Sequence, residues 1–101
     1  GDPEQALQLL EESLKLRKTA RSYLERARAL QRLNRVDEAV TAVDEAIKMN
    51  SKYAPAYEQK GMILWSAGRY PEARPVFEKY LELDPNGRKA GMIRSMLDEP
   101  K

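Results

Sequence analysis

The residues best suited to chemistry in this chain are arginines. From Arg17 to Arg35 there are seven basic residues (Arg17, Lys18, Arg21, Arg26, Arg28, Arg32 and Arg35) and one acid, Glu25, a local excess of six in a chain whose net charge is only +2. A guanidinium presents parallel N–H donors that match a carboxylate, so such a run suits acidic side chains or a C-terminal carboxylate. It also suits a solvated helix face paired across to Glu38, Asp44 or Glu45. Bond-breaking chemistry is poorly supplied. There is no histidine and no cysteine, which removes the commonest nucleophile–base pairs and the imidazole or thiolate metal sites. Glu11-Glu12, Asp37-Glu38, Asp44-Glu45 and Asp98-Glu99 are adjacent in sequence. Adjacent carboxylates point to different sides of a helix, or sit in its first turn and complement its dipole. No phosphate-binding glycine loop is present, and Gly87-x3-Gly91 lies outside any apolar span where that spacing would mean helix pairing in a membrane. The expected function is binding, with no enzyme activity, no cofactor and no metal.

The elements that position these residues follow a period. Tyr23, Ala27, Leu30, Ala39 and Val43 recur 34 residues later as Tyr57, Gly61, Leu64, Ala73 and Phe77. A fixed step of this size signals a stacked helical array, which supplies a surface more than a reaction centre. A chain of 101 residues with 42% hydrophobic content is one domain with a modest core. Its longest apolar runs, such as Met62-Ile63-Leu64-Trp65, are far below spanning length, and no charged-then-apolar signal segment opens it. These features point to a soluble chain and lean toward the cytoplasm, though without cysteine the redox compartment stays open. Gly1 in place of a methionine suits a processed product or a piece of something larger.

Breakers and apolar spacing predict an all-α chain of about six helices. Asp2-Pro3-Glu4 starts the first, with Ala6, Leu7, Leu10 and Leu14 on one face and an end near Arg17-Lys18. The second runs from Ala20 to about Leu33 and closes at Asn34, which tolerates the left-handed conformation. The third spans Val36 to about Met49, and the fourth Ala54 to Ala67, ending at Gly68. The fifth runs from Tyr70 to Leu83, with a local kink expected at Pro75. After the turn Asp84-Pro85-Asn86-Gly87, a sixth is expected over roughly Arg88 to Leu97.

These residues resemble the tetratricopeptide repeat: an aromatic slot (Tyr57), small slots (Gly61, Ala73), a large apolar slot (Phe77) and a closing Asp84-Pro85. The resemblance covers residues 1–87 and implies an antiparallel helix-pair solenoid. Residues 1–19 would be the second helix of a first repeat, 20–53 and 54–87 two full repeats, and 88–101 a capping helix and tail. Arg26 and Lys60 depart from the pattern, standing where the family prefers leucine, so their stems should lie along the helix pair while their charges reach water. Ser51 replaces a closing proline. Tyr80 takes a slot usually held by alanine and Gly91 the next aromatic slot, so the Tyr80 ring is expected to fill the space Gly91 leaves.

The resemblance further implies that the first helix of each pair lines a concave face on which a partner peptide lies. On the second helix Arg21, Leu24, Arg28 and Arg32 share one side; the equivalent side of the fourth carries Glu58, Met62 and Trp65, and the capping helix adds Lys89, Met92 and Met96. The expected function is a protein-interaction module that takes a partner's acidic or mixed acidic and apolar segment, the arginines holding acids and Trp65 with Met62 anchoring apolar groups. Burial of Trp65 and Met62 in the core is the competing reading. Relatives that clamp the C-terminal carboxylates of heat-shock chaperones use lysine and asparagine at set slots. Here those slots hold Leu24, Arg28, Gln59 and Met62, so that clamp is not reproduced. The alternative is a structural module whose first helix, through Leu7 and Leu10, packs on another copy or on further repeats of a larger parent chain. RNA is disfavoured as a partner because aromatics do not alternate with the arginines, Tyr23 being the one aromatic within the run.

Overall fold

A computed structural model of the chain describes residues 2–16 and 19–99. Six helices follow one another: α1 (Pro3–Leu16), α2 (Ala20–Arg32), α3 (Val36–Met49), α4 (Ala54–Ser66), α5 (Tyr70–Leu83) and α6 (Ala90–Asp98). The expected end of the first helix at Arg17-Lys18 lies outside the described residues, as do the side chains of Leu10 and Leu14.

Local signals set the helix ends. Thr19 caps α2, its Oγ1 accepting from the Ser22 backbone N–H at 3.0 Å. After α2 and α4 the chain turns through the left-handed region, at Asn34 (φ 61°) and Gly68 (φ 78°). At both turns the next N–H reaches back to an otherwise unpaired carbonyl at 2.9 Å, Arg35 to Leu30 and Arg69 to Leu64. These two closures sit one period apart. The helix α5 runs unbroken through Pro75. Pro71 and Pro75 are both exposed, so the carbonyl that loses its helical donor remains open to water. The sixth helix begins two residues later than expected, because Gly87 N–H to Asp84 O and Ala90 N–H to Gly87 O, each 3.1 Å, spend those residues on a further turn.

The helices stack as antiparallel pairs, α2 on α3 and α4 on α5, with α1 packed against α2, α3 against α4 and α6 against α5. Helix α2 also touches α4, whereas α3 and α5 do not meet. The stack is therefore closer on its α2/α4 side, and that side is concave. Two apolar clusters form the interior, one from Leu7 through Leu24, Leu30, Val43 and Ala46 to Ile63, the other from Leu64, Ala73, Phe77, Tyr80, Ala90 and Ile93. Val40 packs against both and joins them.

Close packing explains the small slots. A β-carbon on Gly61 would stand 2.9 Å from Phe77 Cζ and closer still to Cδ1 and Cε1, so the Phe77 ring lies directly on the glycine backbone. The proposed pairing of Tyr80 with Gly91 is wrong. Nothing lies within 4 Å of a β-carbon built on Gly91, while one on Gly87 would come within 2.6 Å of the Tyr80 hydroxyl. The Tyr80 ring is buried under the turn that precedes α6, and Gly91 is exposed.

Candidate functional site

On the concave side a hollow of about 340 Å³ lies between α2 and α4 and is closed at one edge by the start of α6. Its lining is Arg28 and Gln31 from α2, Glu58, Gln59, Met62 and Ser66 from α4, and Lys89 just before α6. Four residues expected at the site, Arg28, Glu58, Met62 and Lys89, thus share one hollow although they are spread over three helical segments. Ser66 was not expected there, and neither were Gln31 and Gln59. The two glutamines meet across the groove, Gln59 Nε2 donating to Gln31 Oε1 at 3.1 Å. Both lie on the groove side at helical spacing from Arg28 and Met62, which was the available signal; uncharged amides on a charged helix face draw no attention in a sequence.

The ion pairs divide the basic run between the two expectations. Of the acids named for a solvated face, Glu38 is taken by Arg35 of the run itself at 2.8 Å, Asp44 by Lys60 at 2.8 Å and Glu45 by Lys48 at 3.4 Å. Arg21 faces Glu25 on its own helix at 3.4 Å. Among the described residues Arg28 and Arg32 form no ion pair, and both are exposed. Arg28 lines the groove, and Arg32 follows one helical turn on, outside the hollow's lining.

Five expected site residues are not in the hollow's lining: Arg21, Arg32, Leu24, Trp65 and Met92. Leu24 is 2% exposed and belongs to the core cluster that includes Leu7, because α1 covers that side of α2. Trp65 does not line the hollow. Its ring stands edge-on to Tyr70 at 4.8 Å, tilts against Phe77 at 5.9 Å and carries the Arg74 guanidinium 5.8 Å from its centroid. Arg74 in turn donates to the carbonyls of Leu97 and Glu99 at 2.8 and 2.9 Å, so the indole lies under a tie between α5 and the end of α6. Half-burial against its neighbours is the better account of Trp65 than a groove anchor. Met92 is exposed on α6, outside the hollow's lining.

The outer side carries its own pattern. Arg35 grips Glu38 bidentately, its Nε and Nη2 donating to the two carboxylate oxygens at 3.0 and 2.8 Å, and Arg69 grips Glu72 in the same way at 3.0 and 2.7 Å, one period later. Hydrogen bonds from these arginines hold the Glu38 and Glu72 carboxyls below the usual carboxylate range, and the bonds to Glu72 and Asp37 push the Arg69 guanidinium up. Arg69 also reaches Asp37 at 2.9 Å, and Lys60 reaches Asp44, so both cross from the α4–α5 pair to α3. The stem of Lys60 lies along the helix pair as expected, its side chain only 25% exposed.

The sequence profile of the Tetratricopeptide repeat matches residues 1–39 and 24–88, most of the chain. The chain belongs to the tetratricopeptide repeat family. This family is one of non-enzymatic protein-interaction domains. Among curated relatives, a small glutamine-rich tetratricopeptide repeat-containing protein 2 from Mycosarcoma maydis is 33% identical over 75 residues, which is 72% of this chain and 21% of that protein. The tetratricopeptide chain described here therefore spans about a fifth of that relative's length. Among solved structures it superposes on the TPR2B domain of yeast Sti1, in a complex with pHsp70, with a TM-score of 0.86 at 26% identity, covering 95% of this chain and 80% of that one. The Arabidopsis OM64 TPR domain gives a TM-score of 0.83 at 27% identity with the same coverage. The second TPR domain of human RPAP3, at 23% identity and TM-score 0.84, covering 97% and 82%, shares the fold. No helix among the described residues is long and apolar enough to cross a membrane.

Proposed function

We propose that this tetratricopeptide domain holds an acidic or mixed acidic and apolar segment of a partner protein across its concave groove. Arg28 and Arg32 take the acids, with Lys89 at the far edge, and Met62 supplies the apolar contact. The observation that carries this reading is the exposed Arg28, without an ion pair among the described residues, in the wall of a hollow that also contains Met62, with the equally exposed Arg32 one turn on. A guanidinium with no ion pair to break gives a carboxylate two parallel charge-assisted hydrogen bonds. The likeness to the Sti1 domain solved with pHsp70 supports a peptide as the class of ligand. The lysine and asparagine of the chaperone clamp are not in place here, so the segment need not be the same.

The test is a titration of a fluorescent acidic and apolar peptide against the wild type, Arg28→Glu and Met62→Ala. The first variant should weaken binding by a hundredfold or so, since it replaces attraction with repulsion, and the second by about tenfold. Unchanged affinity in both would remove the groove as the site.

A second reading, self-association through α1, loses Leu7, which is buried in this chain's own core, and rests instead on Leu9, which is 61% exposed and the most exposed of the large apolar side chains described. Sedimentation of wild type beside Leu9→Glu separates the two: a concentration-dependent dimer lost in the variant supports this second reading.

A further inference from the structure

The hollow holds a polar device that charge alone does not explain. The Gln31 and Gln59 side chains, both half-buried, join α2 to α4 through one hydrogen bond. A primary amide has two N–H donors and a carbonyl with two lone pairs, and one bond between two amides uses one donor and one lone pair. Whichever way round the amides are turned, the pair still offers a carbonyl from one partner and an NH2 from the other. Neither amide has another partner among the described residues, and neither holds a polar atom sealed from solvent without a bond. A free acceptor beside a free donor is the complement of the N–H and C=O of one extended main-chain residue.

The flanking residues set what such a main chain would carry. Arg28 and Met62 occupy equivalent positions one period apart on parallel helices. Packed helix axes lie roughly 8–10 Å apart, and an extended chain advances about 3.3 Å per residue with side chains alternating in direction. About three residues therefore cross from α2 to α4, the first and third facing the groove and the second facing out. Its peptide groups pass over the glutamines, which bridge the line from Arg28 to Met62. The acid belongs on the α2 side, because Glu58 on α4 lines the same hollow and would repel it there.

We infer that the Gln31–Gln59 pair reads the main chain of an extended partner segment, so that the groove recognises an acid and an apolar side chain two positions apart inside a chain, with no need of a free carboxyl terminus. This deepens the reading of the groove given above and depends on it. Gln31 and Gln59 are then specificity residues, because they select an extended conformation over a helical one, whose main-chain groups are already paired.

The experiment is an NMR titration of the ¹⁵N-labelled domain, to millimolar concentration, with the doubly blocked peptide acetyl-Gly-Ser-Glu-Ser-Leu-Ser-Gly-amide. The side-chain NH2 signals of Gln31 and Gln59 should shift together with the backbone signals of Arg28 and Met62. Methylating the nitrogen of the serine between Glu and Leu should weaken binding about tenfold, as should Gln59→Met, which keeps the volume and removes the hydrogen bonds. A free carboxyl terminus should leave the affinity unchanged. Equal binding of the N-methylated peptide, or binding by the free acid alone, overturns the inference. If Arg28 and Met62 respond and the glutamines do not, the main-chain role is wrong and the groove stands. If nothing responds, the reading of the groove fails as well.

Discussion

The α2–α3 and α4–α5 pairs solve the same packing problem with opposite distributions of volume. In the first, the corresponding slots hold Ala27 on α2 and the compact Val43 on α3; in the second, Gly61 on α4 gives up its side chain and the large Phe77 ring settles onto the bare backbone. The two sites are both fully buried, so what one helix yields the other must fill. On the concave face the same two pairs differ without compensation, Arg28 in one against Met62 in the other. Water accommodates either of these, so nothing couples them. Interior slots vary in matched sets, and groove slots vary freely; recognition is therefore carried by the residues in which the pairs disagree without a compensating change.

Breaking the matched set should give the largest effect. Truncating Phe77→Ala leaves a cavity over Gly61 and should cost about 3–5 kcal/mol, read as a lower midpoint in denaturant. Gly61→Ala forces a β-carbon into the ring and should cost about 1–3 kcal/mol, less whatever the better helix former returns. The double variant Gly61→Ala/Phe77→Val transplants the solution of the α2–α3 pair. It should be more stable than the sum of its single changes allows, and strict additivity would mean that the two slots are not coupled.

A smaller effect separates the starts of α2 and α4. Thr19 caps the first, whereas Tyr53, one period on, makes no side-chain cap. Thr19→Ala should cost about 1 kcal/mol and loosen the α2 start, seen as faster hydrogen exchange at Ser22.

The smallest concerns the outer ion pairs, where the two pairs agree most closely. Glu72 is held below its ordinary range by Arg69. A carboxyl depressed in the folded state stabilises the fold above its unfolded value, and that contribution disappears as pH falls through the folded value. The melting temperature of wild type should therefore exceed that of Glu72→Gln at neutral pH, and the gap should close as the solution is acidified below the ordinary carboxylate range. Glu38→Gln should behave alike, since Arg35 grips Glu38 in the same geometry. A gap that persists in acid would mean that the pair acts through packing and not through charge.

Much of this protein was legible in order of residues alone. The period, the helix count, the closures at Asn34 and Gly68 and the small slots at Ala27, Gly61, Ala39 and Ala73 all rest on backbone sterics and side-chain volume, which act within a turn or between neighbouring helices. Their consequences hold in any context that stacks helix pairs. What only the tertiary structure decided is the assignment of long side chains to partners. Trp65 could have faced the groove or α5, and the rings of Tyr70 and Phe77 with the tie from Arg74 drew it to the latter. Leu24 stands on the expected side of α2, yet α1 covers it. Glu38, Asp44 and Glu45 were open to several cations, and the ones that reach them leave Arg28 and Arg32 without ion pairs among the described residues. Gln31 and Gln59 meet although 28 positions separate them. Each of these side chains has several rotamers and several neighbours within reach, so its partner is set by the three-dimensional arrangement of helices and not by local order.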